Sequence, residues 1–222
     1  DTFRFWSASE INHGYDFRCN EQKIESTKKF LSKLWNVSRF LSSFPVIESG
    51  IPMATDKWIL SELDNLIKEC KKGYDEYNFF IPAIAIREFT WNLFAAHYIE
   101  MVKARAYGIG FTDEERDGAI YTLHKTLSTI LKLLAPITPF ITEYLWKTLY
   151  SSQSIHRQHQ ATSELGESQS KITKEITEFN SKVWNEKKTK NLSLKDSITI
   201  TIPESLELFK KDLKSMHNLA DN

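Results

Sequence analysis

The 222-residue chain sets 29 Lys and Arg against 29 Asp and Glu, so its net charge is zero and no global field draws it to a polyanion. Its apolar fraction of 41%, rich in Phe, Tyr and Trp, supplies a core for one large domain or for a bundle with a small appendage. Cys19 and Cys70 fit no ligand spacing and read as reduced thiols of a cytoplasmic protein, and no apolar run is long enough to span a bilayer.

In chain order, a short helix is predicted from Thr2 to about Asn12, ending near Gly14. The opening "DTFRFW" reads like the interior of an element, as expected of a domain cut from a longer protein. Asn20 can N-cap a long helix that runs to about Ser43 and stops before Pro45. Thr55 is the expected cap of a third helix, to about Tyr77. Residues 80 to 107 read as one long helix with a proline near its start and basic residues before Gly108. "TDEE" at 112 to 115 is a capping-box pattern that opens a helix ending at Pro136, and Thr138-Pro139 opens the next. From Ser151 to Ser170 the composition turns to Ser, Gln, His and Glu, which predicts a flexible loop. A helix at about 171–188, a strand "SITITIP" at 197–203 and a last helix then make a small helix–strand–helix module at 171–222. The class is mainly α: a helical bundle at 20–150 with a small α+β appendage, and no internal repeat.

The helix holding "KKFLSKLWNVSRFL" carries an anomaly. Stepping 100° per residue gathers Phe30, Leu31, Leu34, Trp35, Val37 and Leu41 into one arc, which predicts the core face and assigns Trp35 to packing. Lys29, Lys33 and Asn36 fall opposite, with Arg39 at the edge, and Phe40 lies among them. One aromatic residue on a polar face is most simply covered by a neighbouring element. The alternative is a stacking platform for single-stranded RNA, with Asn36 offering donor and acceptor to a base edge and the cations facing phosphates or base oxygens. Local charge does not decide between them, since basic runs are more often solvated faces than binding patches: Arg18 to Arg39 holds six basic residues against Glu21 and Glu25. The seven lysines from Lys171 to Lys195, against three glutamates, form a second basic run. Within it Lys182, Lys187, Lys188 and Lys190 are expected to touch RNA backbone without reading sequence.

Catalytic residues are not found. His156 and His159 lack the partners of a zinc site, and His97 beside Glu100 reads as a satisfied structural histidine. No Gly-rich phosphate loop and no nucleophile setting occurs, so no metal site is assigned and the segment is expected to bind rather than react.

"KKFLSKLWNVSRF" closely resembles the Lys-Leu-Trp-Asn-(Ala/Val)-Ser-Arg-Phe signature of valyl-tRNA synthetases. "DTFRFW", "GYDFRCNEQKI", "DKWILSELDNLI", "FTWNLFAAHYIEMVKAR" and "LAPITPFITEYLWKTLY" resemble successive segments of the same class I enzymes, so the likeness covers nearly the whole chain. The last three are shared with isoleucyl and leucyl enzymes; Asn36, Arg39 and Phe40 favour valine. "EFNSKVWNEKKTKNLSLKDSITITIP" is similar to the archaeal type.

The resemblance implies a class I anticodon-binding helical bundle, with residues 1–19 the end of the junction after a catalytic domain. There Arg4, Trp6 and Asp16 would be structural. It also implies a monomer bound to the anticodon stem-loop of tRNA(Val), read by Lys33, Asn36, Arg39 and Phe40 with Lys29 nearby. ATP and magnesium would belong to the parent ligase, and this segment would hold neither. The rivals are the equivalent isoleucyl domain and a helical protein-interaction module.

Overall fold

The structure, a computed structural model, describes every residue except His13, Phe17, Gln160, 163–169 and 221–222. Its helices are α1 (Thr2–Glu10), α2 (Glu21–Leu41), α3 (Ala54–Asp75), α4 (Phe80–Glu88), α5 (Ile99–Ala106), α6 (Asp113–Leu134), α7 (Pro139–Leu149), α8 (Ser170–Thr189) and α9 (Lys210–His217). A π-helical segment, Phe89–Tyr98, joins α4 to α5 without a break. The single long helix expected there is therefore continuous but underwound, and so wider, at its centre. The wider turn lines Phe89, Phe94 and Tyr98 up as a ladder of near-parallel rings, 6.4 Å and 5.9 Å apart, inside the core.

Local chemistry explains most helix ends. The Asn20 side chain accepts from the Gln22 and Lys23 amides, and Glu21 and Arg39 complement the α2 dipole at its two ends. Thr112 and Glu115 form the reciprocal capping box of α6, and Pro139 sits in the first turn of α7. At α3 the expected cap is wrong. The helix begins two residues earlier, with Met53 at the N-cap; the Asp56 carboxylate takes the Met53 amide, and Thr55 is buried and hydrogen-bonded to Asp212 instead.

One hydrophobic cluster runs from Phe5 of α1 to Leu213 of α9, with α3, α4 and α6 at its centre. Gly118 of α6 is where the loop before α3 crosses most closely, because a Cβ there would run into the Ile51 carbonyl. The C-terminal segment shares this cluster through Ile176, Phe179 and Val183 of α8 and through Leu206 and Leu213. Polar anchors reinforce it, with the Trp58 indole donating to Thr173 and the Thr173 hydroxyl donating to Glu62.

The predicted strand at 197–203 is not formed. Among the described residues this segment makes one isolated parallel bridge, Ile198 to Leu219, because no second strand lies beside it to extend a ladder. The expected flexible loop also differs in its described part. Ile155 is buried in a 3₁₀ turn, and the Glu143 carboxylate accepts from both the Ser154 hydroxyl and the Ile155 amide. The rest of that expectation, Gln160 and 163–169, lies outside the described residues.

Candidate nucleic-acid interface

α2 turns its buried stripe, Phe30, Leu31, Leu34, Val37, Ser38 and Leu41, into the bundle. The opposite stripe leaves Lys29, Asn36 and Arg39 exposed and Lys33 half-buried. No hydrogen bond or ion pair occupies the Asn36 amide or the Arg39 guanidinium among the described residues. Such groups cost nothing while solvated and are available to a ligand.

Phe40 answers neither of its two readings fully. The ring is half-buried, met nearly edge-on by Phe44 at 5.3 Å and by Tyr107 at 6.3 Å, and the Lys103 ammonium stands 5.7 Å from its centre. Neighbours therefore support it without covering it, which fixes its orientation and leaves surface for a flat partner. Tyr107 and Lys103 belong to the same neighbourhood and were not singled out in the sequence, because they arrive from the end of α5, more than sixty residues along the chain.

Trp35 is a correction. It is 42% exposed instead of buried, and its indole stacks on Tyr144 of α7 at 5.5 Å. It lies at the edge of the apolar arc, where α7 meets only one of its faces. Ser38 takes the core position beside it, its hydroxyl satisfied by the Leu34 carbonyl.

The second basic run splits. Lys182, Lys188 and Lys190 are exposed, and Lys190 pairs with Glu186 at 2.8 Å. Lys187 cannot touch RNA backbone. It is 1% exposed, and its ammonium donates to the carbonyls of Leu194 at 2.7 Å, Asp196 at 2.8 Å and His217 at 2.7 Å. Burial pushes its pKa down, opposed by the Asp196 carboxylate, and three carbonyl dipoles stand where water would otherwise hydrate the charge. Lys187 is thus the pin that closes the C-terminal turn.

One further buried polar group escaped sequence reading. The Arg105 guanidinium, fully enclosed, donates to both oxygens of Asp56 at 2.7 and 2.8 Å, to both of Asp212 at 3.0 and 3.1 Å, and to the Glu115 carbonyl. Burial works against its charge, but the bonds to Asp56 and the two carboxylates outweigh it and hold the group protonated. His97, read as structural, is so: its ring stacks on Trp184 at 5.4 Å and its Nδ1 accepts from Asn180, whose Oδ1 accepts from His217 Nε2. Among the described residues no cluster of His, Cys, Asp and Glu is placed to hold a metal ion, and no helix is long and apolar enough to cross a membrane.

The fold is a helical bundle that presents one half-supported aromatic ring beside uncommitted amide and cationic groups. The chain belongs to the family described as the anticodon-binding domain of tRNA ligase, which matches residues 56–202. Similar proteins include the valine–tRNA ligase of Aeropyrum pernix, 38% identical over 99% of this chain, and that of Pyrobaculum aerophilum, 38% identical over all of it. The chain spans 28% of the length of each of these relatives. Its fold is shared with a LeuRS–tRNA–LeuAMS complex from Agrobacterium radiobacter, at a TM-score of 0.55 and 17% identity over 73% of this chain and 19% of that one.

Proposed function

We propose that this chain binds the anticodon stem-loop of tRNA(Val), and that it serves a monomeric, cytoplasmic ligase that attaches valine to that tRNA with ATP and magnesium. The observation that carries the reading is the exposed α2 stripe. Lys29, Lys33, Asn36 and Arg39 share that stripe with a Phe40 ring whose neighbours hold it in place, so a splayed base meets a platform that needs no ordering. Phe40 stacks the base and Asn36 reads an edge. Lys29, Lys33 and Arg39 hold base or phosphate oxygens, and Lys182 and Lys188 add sequence-blind backbone contact. Catalysis and the nucleotide belong to a part of the ligase other than this chain. The valine–tRNA ligases at 38% identity support the choice of amino acid.

The test is equilibrium binding of tRNAs that differ only in the anticodon. Phe40→Ala is expected to weaken all of them by about 1–3 kcal/mol, since stacking tolerates any base. Asn36→Ala is expected to narrow, by a similar amount, the gap between the valine anticodon and one with its middle base changed. A chain that prefers isoleucine anticodons assigns the domain to that ligase instead. Affinity indifferent to salt, and to both substitutions, removes RNA as the ligand.

A further inference from the structure

The exposed stripe of α2 extends beyond the residues assigned above. Its first four turns form one wall of an open groove of about 600 Å³, lined by Glu25, Lys28, Lys29, Lys33 and Asn36, with Trp91 across from them. That volume is within the roughly 300–1,000 Å³ of pockets that hold small molecules. Trp91 comes from the π-helical segment, a geometry found often at functional sites. The same segment buries Phe89, Phe94 and Tyr98 in the core, yet leaves the Trp91 indole 37% exposed. The Lys33 ammonium stands 5.9 Å from the centre of that ring. Three lysines face one carboxylate here, and Glu25 is itself paired with Lys28 at 3.8 Å.

We propose that this groove is a second nucleotide subsite for single-stranded RNA, occupied by the nucleotide next along the strand from the one at Asn36. Its base lies on the Trp91 indole, and its phosphates are met by Lys29 and Lys33. The inference rests on the anticodon reading above and deepens it. Asn36 makes the connection, because it lines the groove and also belongs to the recognition stripe, so one strand can run from Phe40 into the groove without leaving the surface. Charge selects the occupant: with Lys28 paired to Glu25, an apolar peptide would leave the Lys29 and Lys33 ammonium groups unanswered, whereas a phosphodiester answers them. An indole flanked by cations is a platform for any base, so this subsite adds affinity and no sequence choice.

The experiment measures binding of the valine anticodon stem-loop, intact and with single abasic nucleotides placed in turn through the loop, to the 222-residue chain and its variants. Trp91→Ala is expected to weaken the intact RNA roughly 5- to 150-fold. Trp91→Phe, which keeps a π-face, should recover most of that. One abasic position should cost the native chain a comparable factor and cost Trp91→Ala less than about twofold more, because the ring and the base are each other's partner. Trp91→Leu replaces the alanine variant if the latter melts early. The subsite is overturned if Trp91→Ala and Trp91→Leu bind as the native chain does. It is equally overturned if their losses multiply with those of every abasic position. Should Asn36→Ala and Phe40→Ala weaken binding while the Trp91 variants do not, only this inference falls; should none of them matter, the anticodon reading falls with it.

Discussion

Two sets of cations in this molecule have the same chemistry and opposite fates. On α2, Lys29 and Arg39 point into solvent. At the seam between the bundle and the C-terminal helices, Arg105 and Lys187 are sealed from water, one by two carboxylates and a carbonyl, the other by three carbonyls. A basic residue is therefore no guide to an RNA contact until its hydrogen bonds are counted. The saturated cations hold the tail to the bundle; the unsaturated ones have capacity left for a ligand. Three measurements probe this division.

The largest effect is expected at Arg105. Removing it leaves Asp56 and Asp212 buried as uncompensated charges, and breaking such a pair typically costs about 3–5 kcal/mol. Arg105→Met should lower unfolding stability by that amount in denaturant titration. Arg105→Met with Asp56→Asn and Asp212→Asn together should recover part of it, because an unpaired charge is worse than an absent one. A stability loss below about 1 kcal/mol for the single variant would mean that the seam contributes little to the fold.

Acid should act next, through the histidines of the same seam. Asn180 donates to His97 Nδ1, which keeps that ring neutral, and accepts from His217 Nε2, whose neutral form is favoured by burial. Burial, with Lys187 and His97 nearby, lowers the His217 pKa from 6.5 to about 4, and burial lowers His97 and His124 as well. A folded pKa below the unfolded one means the unfolded chain takes up protons first. Stability is thus full above about pH 6.5 and falls as pH drops towards 4, by roughly 3 kcal/mol for His217 alone. Unfolding free energy measured at steps through that window should decline, and His217→Gln should flatten the decline. A pH-independent free energy between 6.5 and 4.5 would contradict this account of the network.

The sequence made some of this legible and hid the rest, for one physical reason. Helices and their caps are written locally: Asn20, the Thr112–Glu115 box and Pro139 each act within a turn, and each stands where expected. The α2 polar stripe is likewise a property of one helix. Contacts across the fold are not. Trp35 on Tyr144, Thr55 on Asp212, Lys187 on three carbonyls and Phe40 between Phe44 and Tyr107 all depend on residues brought from elsewhere. The strand at 197–203 failed for the same reason, since alternation marks a segment as able to pair and says nothing of whether a partner lies beside it.

The smallest effect is the most direct test of the division, and it uses two adjacent lysines. Lys187 and Lys188 follow one another on α8, one sealed and one exposed. Lys187→Met takes the donor from three buried carbonyls and should cost roughly 1–3 kcal/mol of stability, the usual range for buried groups left unpaired. It should leave the salt dependence of RNA binding unchanged in the fraction that stays folded. Lys188→Gln touches no buried partner and should leave the melting temperature unmoved within error. If Lys188 meets a phosphate, its loss should weaken cognate and non-cognate tRNA alike and reduce the slope of log affinity against log salt by about 0.9. Lys182→Gln should behave in the same way, and the two should add if each neutralises its own phosphate. Should neither exposed lysine change the slope, the C-terminal helix lies off the RNA path. Binding would then rest on α2 and its groove alone, and both lysines of the pair would be structural or idle.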